Sequence, residues 1–487
     1  MRISTATQQS RLARITLRRI KASLLAAVLA TLLVTVLVAS SHSTSASAVI
    51  RDPANPPPCA RAATSQPPPV KPTTIATLQQ VYWCIFAHYY SGPVLDDRTL
   101  LVSAFAALTQ ELERRGIDQP TATLPALTGS RPGDWIAFSA RYRTITDALP
   151  NRPQLRQELA ATTLKGMLAG LNDNHVNWAY PYQPGVVVGL GITTSPSSDL
   201  MTVAAQETVP PLFVTSVVPG TPAARHGLQP GDVIGAVNGA SPFTDGVLSP
   251  GVVAQLADDS PVRLRLYRPS TDQTWTVTMT PTRYTAPEPV VHSKVLRDSV
   301  AYIQLPAFLV SSAAAVLNAI SASSKATHLR GVVLDVRGNG GGSPYEVAKL
   351  LGAFVHGKAW SYDCDVAGTC TANYTDDSVS LLHLPLVLLT DRNCASACDA
   401  FSGAVKDLHL GTLVGTRTSG LVAGPAGGYL LDDNSLLLLP AQHEVGARKE
   451  IINGIGVAPD YYLPLTATDL SNRRDPDIQK ALTLLES

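Results

Sequence analysis

Two stretches of this 487-residue chain leave little freedom in how it folds. Val332-Val333-Leu334-Asp335 is an unbroken apolar run that ends in Val336-Arg337-Gly338-Asn339-Gly340-Gly341-Gly342. Leu386-Val387-Leu388-Leu389 runs in the same way toward Asp391-Arg392-Asn393-Cys394-Ala395-Ser396-Ala397-Cys398-Asp399. Apolar runs without alternation, each followed by a small-residue turn and a helical segment, predict strands of an α/β sheet covered on both faces. Three glycines in a row lose more chain entropy on ordering than other residues, so a turn that keeps them is expected to need close backbone approach.

The first 48 residues have a different character. Arg2, Arg11, Arg14, Arg18, Arg19 and Lys21 precede an uncharged run over residues 22–39, and Ala46-Ser47-Ala48 follows. That order predicts an export signal cleaved after Ala48. Left uncleaved, the apolar run has about the length of a membrane anchor. Either outcome places the body outside the cytoplasm, secreted or tethered, with a membrane partner only in the uncleaved case. The formal net charge is +1, and without those six cations the rest is mildly acidic. No clustered cationic surface is left for a nucleic acid. Six cysteines, Cys59, Cys84, Cys364, Cys370, Cys394 and Cys398, suit an oxidising compartment. The local pairs are 59–84, 364–370 and 394–398, although spacing alone does not fix connectivity and Cys394 or Cys398 has Cys364 and Cys370 as alternatives.

Residues 49–73 are rich in proline and read as an extended linker with no core of its own. From 74 to 182 the pattern is helical. Leu101, Phe105, Leu108 and Leu112 recur at helical spacing up to Gly116, and a second helical run covers 154–171. Tyr82, Trp83, Phe86, Tyr89 and Tyr90 are expected to pack helices. Residues 183–285 turn to short β-rich runs divided by glycine and proline. There, the stretch from Val218-Pro219-Gly220-Thr221 to Val237-Asn238-Gly239 resembles the helix-and-turn signature of PDZ domains in bacterial proteases. Gly189-Leu190-Gly191-Ile192 resembles the carboxylate-binding loop, where successive backbone N–H groups hold a peptide C-terminus.

The two glycine- and serine-containing turns resemble the hallmark motifs of the tail-specific, or C-terminal processing, serine protease family, and the likeness extends over most of residues 75–465. The resemblance implies an N-terminal helical cap, a PDZ-like β-rich domain and, over 286–487, a ClpP/crotonase-like α/β protease core. It implies that Ser396 is the nucleophile of a serine peptidase. A serine at a strand-to-helix turn presents its hydroxyl clear of the backbone, at a helix end that favours negative charge. Ala397 and either Gly340 or Gly341 are the expected oxyanion donors.

One position departs from the family. Where the usual catalytic lysine stands, this chain has Leu421, and leucine accepts no proton. Leu171-Asn172-Asp173-Asn174-His175 instead resembles the Leu–x–Asp–x–His segment of the tricorn-type branch, which implies His175 as base, with His443 as an alternative. For the group orienting the imidazole, the resemblance points to Asn453 or Glu450. Asp399 and Asp407 match acidic positions that support the nucleophile turn. No metal or organic cofactor is implied, since residues 338–342 lack the Gly-Lys-Ser/Thr ending of a phosphate loop. The expected partners are polypeptide substrates, engaged through their C-termini. Two other readings stay open: an inactive peptide-binding scaffold of the same fold, and an esterase using the same serine.

Overall fold

The computed structural model describes residues 58–62, 68–180, 186–195, 210–256 and 260–486. The export signal and the start of the proline-rich segment lie outside them.

The core is a six-stranded sheet in the order His292–Leu296, Val300–Gln304, Gly331–Asp335, Leu386–Thr390, Gly411–Gly415, Tyr461–Tyr462. The first pair is antiparallel and the remaining pairs are parallel. Alternation along the strands explains the unbroken apolar runs. Val332, Leu334, Leu386 and Leu388 face a core shared with helices Ser312–Ala326, Pro344–Gly352 and Ala397–Asp407. Val333, Val387 and Leu389 face the opposite way, against Ala481, Leu482 and Leu485 of helix Pro476–Glu486. Both faces are therefore buried, as a parallel sheet requires. A second sheet, Cys370–Tyr374, Ala359–Cys364 and His443–Gly446, packs on helix Ala397–Asp407.

Four helices, Ile75–His88, Asp97–Arg114, Arg131–Ala148 and Pro153–Ala169, form the cap. The cap is not confined to residues 74–182. A hairpin of strands Ala426–Leu430 and Leu436–Pro440 leaves the catalytic core and places Tyr429, Leu431, Leu437 and Leu439 inside the cap's apolar centre. Strand Asn177–Ala179 pairs with it, and the Trp178 indole N–H donates to Ser435 Oγ at 2.7 Å.

The proline-rich segment, expected to be an extended linker with no core of its own, is attached to its surroundings along its described residues. Ala60–Arg61 pairs with the hairpin, Cys59 is bonded to Cys84, and Gln80 donates to the Pro58 carbonyl. Further on, Asn434 donates to the Pro69 carbonyl and the Lys71 N–H donates to Asp433. Proline removes a donor but keeps its carbonyl, so an extended proline-rich strand can still line the edge of a hairpin.

Residues 186–285 contain the expected β-rich module. Its three-stranded sheet is formed by Gln273–Met279, Val262–Arg268 and Val233–Val237 around a core of Ile234, Leu264 and Leu266. Strand Ile192–Thr194 pairs with Val214–Val217. Gly191 has φ +78°, and a Cβ there would overlap Thr221, so this loop admits only glycine at that position. Ser270 N–H donates to Ser471 Oγ at 3.0 Å, joining the module to helix Ala467–Ser471 of the core.

Candidate active site

The nucleophile turn follows the buried strand Leu386–Thr390. Asp391 Oδ1 accepts the N–H groups of Gly338 and Asn393, which ties the glycine turn to the serine turn. Ser396 then has φ +56° and ψ −120°, and helix Ala397–Asp407 begins at the next residue. A non-glycine residue in positive-φ backbone costs roughly 1–2 kcal/mol, so its surroundings must hold it. The Ser396 N–H donates to the Leu421 carbonyl at 2.7 Å and also lies 3.0 Å from Asp399 Oδ2. The Ala395 N–H donates to the Asn339 carbonyl, and a Cys394–Cys398 disulfide spans the turn. The other bonds are Cys59–Cys84 and Cys364–Cys370, so all three local pairings occur.

Asn339 organises the glycine loop from a fully buried position. Its amide donates to the Leu305 carbonyl, and its Oδ1 accepts the Gly341 N–H at 2.8 Å. Gly341 therefore supplies shape rather than an oxyanion donor. A Cβ on it would stand 2.6 Å from Ala395 O and 2.7 Å from Ser396 Cβ. Gly340 is exposed, with open space where a Cβ would be. Gly340 and Ala397 are the donors left of the three expected. The loop's base is fixed by Arg337, which bonds Asp335, Asp475 and Asp477 at 2.7–2.9 Å.

Asp399 fastens the nucleophile turn to the segment holding Leu421. Besides its contact with Ser396, it accepts the N–H groups of Gly420 at 2.8 Å and Leu421 at 3.0 Å. Burial pushes this carboxyl up to about 6, against the pull of those hydrogen bonds and of Thr418. Lys406 is turned away, bonded to the Ala458 carbonyl and to Asp460.

The Leu421 carbonyl also contacts His175 Nε2, at 2.9 Å. One oxygen thus accepts from both the Ser396 backbone and the imidazole, and brings two residues 221 positions apart to one place. A carbonyl oxygen only accepts, so Nε2 carries a hydrogen in this arrangement. Among the described residues Nδ1 has no hydrogen-bond partner, and it lies 3.9 Å from Asp173 Oδ1. Burial lowers the affinity of the ring for a proton, opposed by the nearby Asp173 charge, so the imidazole is held below its ordinary value.

The other expected residues separate. Asn453 Oδ1 accepts the Val422 N–H at 3.3 Å, the far side of the same peptide unit whose carbonyl meets Ser396 and His175. Glu450 lies at the other end of the nucleophile helix, against Asp407, and burial together with that second carboxyl pushes it up to about 7. A helix of eleven residues separates it from Ser396, so it does not orient His175, and Asp407 pairs with it instead of bracing the turn. His443 packs against Tyr90 with ring centres 5.5 Å apart. Sequence reasoning passed over Asp173 and Tyr89. The signal for Asp173 was present, two residues before the histidine in the motif already singled out.

A serine raised on a strand-to-helix elbow, a glycine loop beside it and a buried imidazole sharing its anchor define a serine hydrolase site, here joined to a PDZ module. Residues 299–463 match the family model of peptidase family S41, and residues 213–268 match that of a PDZ domain. It is 28% identical over 341 residues to the chloroplastic carboxyl-terminal-processing peptidase 2 of Arabidopsis thaliana, a match covering 66% of this chain and 64% of that protein. To the tricorn protease of Thermoplasma volcanium it is 32% identical over 157 residues, which cover 32% of this chain and 14% of that one. In fold it is similar to mature CPAF, with a TM-score of 0.54 at 14% identity, over 85% of this chain and 97% of the other.

Proposed function

We propose that this chain is an extracytoplasmic serine peptidase of the C-terminal processing type that works through a Ser396–His175 pair. The observation that carries the reading is the shared Leu421 carbonyl, which places an imidazole beside the nucleophile in a site where the expected lysine is a leucine. Ser396 Oγ attacks the scissile carbonyl carbon and His175 takes its proton. The N–H groups of Gly340 and Ala397 receive the oxyanion, each such donor being worth about 3–4 kcal/mol. The imidazolium then protonates the departing amine, and water hydrolyses the acyl-serine with His175 again as base. Burial keeps the imidazole neutral and ready to accept a proton at pH 7.

The substrates are polypeptides. The glycine-containing loop 189–192, which leads into strand Ile192–Thr194, suits the carboxylate of an incoming C-terminus. Three disulfides and the N-terminal basic-then-apolar segment support an oxidising location outside the cytoplasm.

The test is covalent labelling of the purified protein with a fluorophosphonate, beside Ser396→Ala and His175→Ala. Labelling should disappear in the first variant and fall about 10²–10⁴-fold in the second. A folded wild-type protein that resists the probe would shift the assignment to a peptide-binding scaffold.

A further inference from the structure

We infer that Asp173, held by Tyr89, is the positioning residue that sets the working tautomer of His175. This rests on His175 being the base. To take the Ser396 proton through Nε2, the ring must leave the Leu421 carbonyl and carry its hydrogen on Nδ1 instead. Nδ1–H then needs an acceptor inside a buried site, because an unpaired buried donor costs about 1–3 kcal/mol.

The carboxylate facing Nδ1 is Asp173, 3.9 Å away in the present ring position and so one small rotation from a hydrogen bond. Its orientation is fixed twice. Oδ1 accepts the His175 N–H at 2.8 Å, and Oδ2 accepts the Tyr89 hydroxyl at 2.8 Å. The side chain is largely buried, and Tyr89 is 4% exposed. Glu450, the glutamate suggested by resemblance, is at the far end of the nucleophile helix. Asn453 reaches the Leu421–Val422 peptide but is neutral. Asp173 therefore supplies the negative charge that an imidazolium needs during turnover. The other titratable groups around the ring are Tyr89 and, across the Leu421 segment, Asp399.

The experiment uses the full chain with Asp173→Asn, Asp173→Glu, Tyr89→Phe and His175→Ala, reading peptide hydrolysis and fluorophosphonate labelling against pH. Asp173→Asn keeps an oxygen for the His175 N–H but loses the charge. We expect kcat and the labelling rate to fall about 10²-fold with KM within threefold, and the acid limb of the profile to move to lower pH. Asp173→Glu should recover part of the rate, and Tyr89→Phe should lose severalfold. An Asp173→Asn protein with wild-type rate and an unmoved acid limb would overturn the inference while His175→Ala still abolishes labelling. Wild-type labelling in His175→Ala would instead overturn the Ser–His reading. If Asp173→Asn fails to fold, Tyr89→Phe decides: an unchanged rate and pH profile there refutes the role.

Discussion

Replacing Gly341 by alanine introduces one methyl group where the structure has no room for it. The added carbon would stand 2.6 Å from Ala395 O, 2.7 Å from Ser396 Cβ and 2.9 Å from Ala397 N, and the backbone there has φ +98°. Two of those atoms are backbone, so no flexible side chain can yield. The dihedral costs about 1–3 kcal/mol for a residue with a Cβ, and overpacking a tight contact adds about 1–3 kcal/mol. We expect a net loss of about 2–6 kcal/mol, read as a Tm lower by roughly 4–24 °C for a core of this size. Relief of the clash must displace the serine itself, and a misplacement of about 1 Å costs about 10²-fold in rate. Fluorophosphonate labelling should therefore slow by one to two orders of magnitude in protein that is still folded at the assay temperature. Gly340→Ala is the internal control: its Cβ meets nothing within 4 Å, and stability should change by less than about 1 kcal/mol. Equal Tm values for the two variants, or an undiminished labelling rate in Gly341→Ala, would refute the packing argument.

Three further outcomes follow from the same geometry. Opening the Cys394–Cys398 bond with reductant, or in a Cys394→Ser/Cys398→Ser protein, should cost about 2 kcal/mol through the short loop it closes and lower the labelling rate; unchanged turnover in reductant would count against a bracing role. Arg337→Met leaves the buried acids Asp335 and Asp477, and the partly exposed Asp475, without their cation, so chemical denaturation should show a loss of about 3–5 kcal/mol. Burial pushes Glu444 up to about 7, so the folded state binds its proton more tightly than the unfolded chain. The stability this gives is fully present below the ordinary carboxylate range and is lost as pH rises through about 7; Glu444→Gln should therefore gain about 1–3 kcal/mol at pH 8 and nothing near pH 4 in urea titrations.

The core sheet was legible because burial on both faces writes itself as unbroken apolar strands, and the turns after Asp335 and Thr390 carry small residues that have no other economical use. Helices at 97–114 and 153–169 came close to their expected limits for a similar reason, with Gly116 at φ +66° ending the first. What stayed hidden was non-local. Nothing in the hairpin 426–440 says that Tyr429 and Leu437 pack among helices more than 250 residues earlier. Nothing in Pro58 or Pro69 says that its carbonyl accepts from Gln80 of the first cap helix or from Asn434 of the hairpin turn. Counting back from a motif placed Glu450 in the site, whereas the helix between it and Ser396 carries it away. His175 and Asp173 were both readable as residue types in one motif, but that Asp173 lies toward Nδ1 emerged only from the structure.

The hairpin that crosses into the cap has a consequence for when this protein becomes active. The proposed base lies early in the chain and the proposed nucleophile late, and the cap that carries His175 is completed by residues later still. A chain interrupted between residues 397 and 434 would contain both His175 and Ser396, yet Trp178 would lack Ser435 and the cap its last apolar layer. Such a fragment has every reacting atom and no fixed distance between them. The strand Leu436–Pro440 is thus as much a condition for a fixed Ser396–His175 geometry as the two residues themselves.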